Sequence, residues 1–226
     1  MENLRLLFQG DSLTDGGRNK DIKTPNEGLG GGFVGLIASR LLCDNPSAEI
    51  YNRGTYGNRI ADMYARWIED ALNIQFNVIS IMNGINDVGF AIRQNRGADT
   101  QKYEFIFDRI LYETKESHPN ADIILCQPFL IKRVYEKEND IYENWDRWSA
   151  AVEERGEVVR RLSKQYGTLF VEFKLAIDNA LKIAPAEHWS LDCIHMTHAG
   201  NELLARTWLN AAKPILNKYF LTEKGV

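Results

Sequence analysis

The stretch Asn77-Val78-Ile79-Ser80-Ile81-Met82 is an apolar run that passes directly into Asn83-Gly84-Ile85-Asn86-Asp87. The run is rich in β-branched residues and lacks the polar–apolar alternation of a half-exposed strand. Such a run is typical of a parallel strand that is covered on both faces. It predicts a buried parallel sheet, with polar and glycine-rich residues at the carboxyl end of the strand.

Four further apolar runs are predicted as strands, at residues 4–9, 49–52, 122–127 and 168–172. Segments of helical period are predicted at residues 33–43, 60–72, 101–117, 144–166, 175–183 and 199–216, with Thr197 capping the last. Alternating strands and helices favour a doubly wound parallel sheet. The expected fold is therefore α/β, a three-layer α/β/α sandwich around a five-stranded, parallel, doubly wound sheet of flavodoxin-like type. The glycine-rich residues 28–32 are predicted as a flexible loop before the first of these helices.

Composition restricts the class of protein. With 226 residues, 44% hydrophobic and 26% charged, the chain is expected to form a single domain over residues 1–226. A net charge of −4 does not favour nucleic acid or an anionic membrane as partner. The three cysteines include no C-x-x-C pair, which argues against a disulfide framework and a zinc site. With neither a basic leader region nor a long apolar span in the sequence, a cytoplasmic location is expected.

Polar residues follow the predicted strands where each one ends. Gly10-Asp11-Ser12 follows the first strand, Asn52-Arg53-Gly54 the second and Gly84-Ile85-Asn86-Asp87 the third. Because ligands of doubly wound sheets bind outside the carboxyl ends of the strands, these groups are expected to converge at one edge. Late in the chain, Asp192-Cys193-Ile194-His195 adds a carboxylate and an imidazole on one loop.

These side chains suit nucleophilic catalysis. A serine hydroxyl is a poor nucleophile near neutral pH unless an imidazole takes its proton, and a carboxylate must fix the tautomer of that imidazole. Ser12, Asp192 and His195 supply the three groups. Each residue also has an ordinary interpretation, such as a turn at Ser12, a turn glycine at Gly54 or an Asx turn at Asn86. Their joint occurrence at strand ends favours the catalytic interpretation.

The motif blocks Gly10-Asp11-Ser12, Gly54, Gly84-Ile85-Asn86-Asp87 and Asp192-Cys193-Ile194-His195 resemble those of the SGNH (GDSL) hydrolase family. The resemblance covers nearly the whole chain. Within the family, the sequence is most similar to intracellular acetylxylan esterases, notably over residues 10–18, 29–34, 65–70 and 80–88. Met196 is a departure, since many relatives have proline after the histidine.

The resemblance implies a serine esterase that needs neither metal nor cofactor. Ser12 would attack the ester, His195 would act as base and acid, and Asp192 would orient His195. The backbone N–H groups of Ser12 and Gly54, with the side-chain amide of Asn86, would form the oxyanion hole. The implied reaction removes acetyl groups from xylan-derived oligosaccharides through an acyl-serine intermediate.

Two residues are expected to border the substrate, Asp11 and Trp189, and the expected ligand is a small ester or an acetylated oligosaccharide. Assembly into a homo-oligomer is left open. Two alternatives also stay open. One is a thioesterase or lysophospholipase-type acyl hydrolase of the same family, which needs an apolar groove for a long acyl chain. The other is a catalytically silent carbohydrate-binding protein on the same fold, which the presence of a nucleophile disfavours.

Overall fold

A five-stranded parallel sheet lies at the centre of this computed structural model, which describes residues 3–133 and 140–220. The strand order is β2-β1-β3-β4-β5, and every neighbouring pair is parallel. The strands are β1 Arg5–Gly10, β2 Glu49–Asn52, β3 Val78–Met82, β4 Asp122–Cys126 and β5 Leu169–Val171. All five predicted strands are confirmed, each to within one residue at either end.

Helices cover both faces of the sheet, which confirms the predicted α/β class. They are α1 Ser12–Asp15, α2 Phe33–Asp44, α3 Ile60–Ala65, α4 Ile85–Gln94, α5 Thr100–Ser117, α6 Asp140–Glu143, α7 Trp145–Tyr166, α8 Phe173–Ala180, α9 Ala186–Trp189 and α10 His198–Leu216. Among the described residues, none of these helices combines the length and the apolar character needed to cross a membrane.

Alternate residues of the central strands pack into opposite layers, because successive side chains of a strand point to opposite faces. Leu6 and Phe8 join the cluster under α2, α8 and α10, whereas Leu7 and Ile79 join the cluster under α3, α5 and α7. All four side chains are at most 1% exposed. Burial on both faces explains why the strand sequences do not alternate.

The short helices α1, α6 and α9 were not predicted, and α8 begins two residues earlier and ends three residues earlier than the predicted helix 175–183. Three other differences bear on the sheet edge. The predicted helix 60–72 is interrupted, since α3 ends at Ala65 and a π-helical turn occupies Ile68–Leu72. There the Gln9 side-chain amide donates to the Asp70 carbonyl at 2.6 Å. Helix α4 was not predicted. Residues 28–32 do form a loop, but hydrogen bonds hold it in place, with the Leu29 carbonyl accepting from the Asn52 side chain at 2.8 Å.

Candidate active site

Ser12 is placed at the sheet edge by the sharp turn that follows β1. Asp11 caps α1 by accepting a hydrogen bond from the Leu13 N–H at 3.1 Å, so the helix begins directly at Ser12. Gly10 is required for this turn, because a Cβ atom there would lie 2.3 Å from the Met82 carbonyl oxygen. The Ser12 N–H belongs to the first turn of a helix and therefore has no intrahelical acceptor.

The structure brings the three predicted side chains together. Ser12 Oγ lies 3.0 Å from His195 Nε2, and His195 Nδ1 lies 2.6 Å from Asp192 Oδ2. The other carboxylate oxygen of Asp192 accepts from the backbone N–H of His195 at 2.7 Å. With Nδ1–H directed at the carboxylate, the neutral imidazole presents the lone pair of Nε2 to the serine hydroxyl.

The loop that carries Asp192 and His195 is closed on itself. Ser190 and Met196 form an isolated antiparallel bridge, and the Leu191 N–H donates to the His195 carbonyl at 2.7 Å. Met196 is 5% exposed and packs into the core cluster under α10. Burial of this side chain and the bridge therefore hold the loop where many relatives have a proline.

Electrostatics agree with this arrangement. The hydrogen bond to Asp192 raises the pKa of His195 above its ordinary value, against the opposing effect of burial. Burial acts to raise the pKa of Asp192, but the hydrogen bonds from the ring and backbone of His195 outweigh it and leave that pKa below its ordinary value. Burial also raises the pKa of Asp11 to about 7. The Asp192 carboxylate beside the imidazole is therefore ionised near neutral pH, as its role requires.

A cavity of about 390 Å³ opens beside Ser12 and His195. Its walls combine bare backbone, apolar side chains and polar side chains: Gly16, Gly31 and Gly32; Leu13, Leu191 and Met196; Thr197, His198 and Asn201. Among the described residues, no group of three His, Cys, Asp or Glu side chains is arranged to hold a metal ion.

Comparison with known proteins agrees with the geometry. The sequence matches the GDSL-like Lipase/Acylhydrolase family over residues 8–203. The chain belongs to this family. It is 30% identical over 212 residues to an acetylxylan esterase from Geobacillus stearothermophilus, covering 91% of this chain and 92% of that protein. Both findings confirm the resemblance given by the motif blocks and identify a carboxylic ester hydrolase.

Solved structures extend the comparison. The structure of a protein from Parabacteroides merdae, described as a GDSL-like lipase, superposes on this chain with a TM-score of 0.86. The two sequences are 34% identical, and the match covers 94% of this chain and 96% of that one. The acetylxylan esterase from Geobacillus stearothermophilus superposes with a TM-score of 0.77 at 30% identity, over 92% and 93% of the two chains.

The sequence led us to expect Gly54 in the oxyanion hole, but the structure does not support that role. Its N–H already donates to Asn52 Oδ1 at 2.9 Å. A Cβ atom at this position would lie 2.4 Å from the Asp15 nitrogen. Gly54 is therefore needed for close packing of the loop after β2 against α1, and its N–H is not free to bind a substrate oxygen.

Gly57 is the better candidate for a backbone donor. It adopts φ +77°, no atom lies within 4 Å of a Cβ built on it, and its N–H has no acceptor within the described part of the chain. Its neighbour Tyr56 has a ring parallel to that of His195, with centroids 6.3 Å apart, so this loop borders the site. The signal in the sequence is the second glycine of the Asn-x-Gly-x-x-Gly spacing over residues 52–57.

Asn86 lies next to the Gly57 loop at the start of α4. Its side-chain amide donates to the Asn58 carbonyl at 3.2 Å, and the Asn83 amide donates to the same oxygen at 3.0 Å. One N–H of the Asn86 amide is used in this way, and the second is available to a ligand.

The two residues predicted to border the substrate do not line the cavity. Asp11 is 1% exposed and its carboxyl group caps α1, so burial separates it from substrate. Trp189 packs against the core cluster under α10, and its indole N–H donates to the Ala184 carbonyl at 3.2 Å. Asp11 anchors the nucleophile turn, and Trp189 anchors the segment before the Asp192–His195 loop.

Proposed function

We propose that the protein is a serine esterase that removes acetyl groups from short xylan-derived oligosaccharides through an acyl-serine intermediate. The observation that carries this proposal is the unbroken chain of short contacts from Ser12 Oγ through the His195 ring to Asp192. The relative named an acetylxylan esterase supports the choice of substrate.

The reaction begins when His195 Nε2 takes the proton of Ser12 as its oxygen attacks the ester carbonyl. The resulting imidazolium is stabilised by the Asp192 carboxylate, and the negative charge on the former carbonyl oxygen requires hydrogen-bond donors. We assign the N–H groups of Ser12 and Gly57 and the side-chain amide of Asn86 to this task. His195 then gives its proton to the ester oxygen of the sugar as the bond between that oxygen and the acyl carbon breaks, which leaves the acetyl group on Ser12. Water, activated by the same imidazole, releases acetate from Ser12.

A second candidate is an acyl hydrolase of the same family that acts on longer acyl chains. The apolar side chains of Leu13, Leu191 and Met196 in the cavity wall favour it, because they offer a surface to an alkyl chain. The relative named an acetylxylan esterase favours a hydroxylated ligand instead. We therefore place the acetylated sugar first.

The test measures acetate release from acetylated xylooligosaccharides and compares acetyl with octanoyl esters of p-nitrophenol. The Ser12→Ala variant serves as the blank in every assay. The expected result is acetate release by the wild-type protein alone, with the acetyl ester preferred. A preference for the octanoyl ester would replace the sugar substrate with the second candidate. Binding of the oligosaccharides without any ester cleavage would refute both esterases and favour a silent carbohydrate-binding protein.

A further inference from the structure

Tyr56 is an exposed aromatic side chain beside His195. It is 69% exposed, and its hydroxyl group makes no hydrogen bond to the residues that the structure describes. Leu191, which is 59% exposed, lines the cavity beside the same histidine. Apart from the parallel ring of His195, no ring contact or hydrogen bond to the described residues accounts for a large aromatic side chain at the Tyr56 position.

The backbone under this ring is held firmly. The Tyr56 N–H donates to Asp15 Oδ2 at 3.0 Å, the Thr55 N–H to the Gly10 carbonyl at 3.0 Å, and the Asn58 N–H to the Thr55 carbonyl at 3.1 Å. The ring is thus attached to the same turn that places Ser12. A ligand that stacks on it has little loop ordering to overcome, which favours binding.

The ring is also oriented for a ligand at the reacting centre. Its plane lies within 6° of the His195 ring plane, with the centroids 6.3 Å apart. The leaving alcohol must lie at His195 Nε2, because that atom returns the proton. Tyr56 does not line the cavity, so it borders His195 from another side.

We propose that Tyr56 is the platform on which the sugar ring of the leaving alcohol stacks, which makes it a specificity-determining residue. An aromatic face offers a flat apolar surface that matches the C–H face of a sugar ring, while a small alkyl alcohol is too short to cover it. This inference rests on the proposed esterase function and adds the residue that distinguishes sugar esters from simple esters.

The experiment compares Tyr56→Ala and Tyr56→Phe on two substrates, an acetylated xylooligosaccharide and ethyl acetate. Both variants keep the backbone N–H that bonds to Asp15. We expect Tyr56→Ala to raise KM for the sugar ester about tenfold or more, with kcat unchanged. Its kcat/KM for ethyl acetate should equal that of the wild type. Tyr56→Phe should retain the wild-type KM, because it keeps the ring. Tyr112→Ala is the matched control, since Tyr112 is another exposed tyrosine but lies on α5, where its ring contacts the Arg109 guanidinium group and not His195.

Three outcomes would overturn the proposal. Equal losses on both substrates would mean that Tyr56 acts by positioning His195, and no loss on either would make it an ordinary surface residue. Wild-type protein that cleaves ethyl acetate but not the sugar ester would refute the proposed substrate itself. The wild-type assay gives that last outcome before any variant is made. A failure of the proposed substrate is therefore distinguishable from a failure of the role proposed for Tyr56.

Discussion

Asp192→Asn tests the assigned roles most directly, because it changes charge and proton position while nearly preserving shape. The asparagine oxygen can still accept from the backbone N–H groups of Ile194 and His195, which now donate to Asp192 at 3.1 and 2.7 Å. Its NH2 group then faces His195 Nδ1. The imidazole must adopt the opposite tautomer, so Ser12 Oγ meets an N–H in place of a lone pair.

Two lost interactions set the size of the fall in activity that we expect for Asp192→Asn. The attraction between the carboxylate and the forming imidazolium is about 1 kcal/mol in water and about 4 kcal/mol at an effective dielectric of 20. Because the Asp192 and His195 side chains are 45% and 35% exposed, we take about 2 kcal/mol. Reversing the tautomer costs roughly one neutral hydrogen bond, about 1 kcal/mol. Together, at about 3 kcal/mol, they predict a fall in kcat/KM of about 160-fold.

The pH profile gives a second readout. Activity requires neutral His195, so wild-type activity should rise with pH through a pKa that the Asp192 hydrogen bond has raised. Removing the carboxylate charge lowers that pKa, so the acid limb of the Asp192→Asn profile should move to lower pH while its plateau falls.

The assay is kcat/KM for p-nitrophenyl acetate between about pH 5 and 9, corrected with a Ser12→Ala blank. Asp178→Asn, which changes an exposed carboxylate paired with Lys174 on α8, is the control. A plateau within about threefold of wild type, or an acid limb that does not move, would refute the role of Asp192.

Three further predictions follow from the same geometry. Asn86→Ala should lower kcat about 100- to 1,000-fold with little change in KM, because it removes one donor to the oxyanion. The loop should keep its place, since Asn83 still donates to the Asn58 carbonyl. A change in KM alone would contradict the assignment. Gly31→Leu should raise KM for acetylated xylooligosaccharides but not for ethyl acetate. Its side chain would enter the cavity, where the sugar units next to the one on Tyr56 would lie, and a Cβ atom at Gly31 meets nothing within 4 Å. A selective loss on octanoyl esters would instead place an acyl chain there. Asp87→Asn should flatten the pH dependence of stability. Burial raises the pKa of Asp87 from 3.8 to about 7, so its protonated form stabilises the fold at low pH, and that contribution is lost as the pH rises through about 7. Thermal unfolding at about pH 5 and pH 8 should show a smaller difference for the variant, and parallel curves for both proteins would contradict the assignment.

The strands were predictable because burial on both faces leaves a continuous apolar run, and the long helices because one buried face leaves apolar residues at helical spacing. Helix α4 was not, because it begins inside the polar, glycine-containing block after β3 and contains Gly89, a residue of poor helix propensity. The ring of Trp148 explains that glycine, since a Cβ atom at Gly89 would lie 3.0 Å from it. Trp148 is distant in sequence, so the local pattern could not reveal the contact.

The pairing of Ser12 with His195 was also predictable, because strand ends and residue chemistry indicated it. The choice between Gly54 and Gly57 was not, because both glycines follow the same strand. The choice depends on Asn52, whose side-chain oxygen accepts the Gly54 N–H and whose amide group donates to the Thr14 carbonyl at 2.7 Å. The interruption near residue 66 likewise accompanies a long-range contact, that between Gln9 and Asp70.

The loop between Ser190 and Met196 carries both Asp192 and His195, so it fixes the distance between the carboxylate and the imidazole. The distance from the imidazole to Ser12, which lies on another segment, is less constrained. The carboxylate and the imidazole lie within the same seven consecutive residues and move together. A movement of this loop therefore changes the distance from Ser12 Oγ to His195 before it changes the distance from His195 to Asp192. Lengthening the chain ahead of α9 should therefore slow the attack on the ester while the histidine keeps its tautomer.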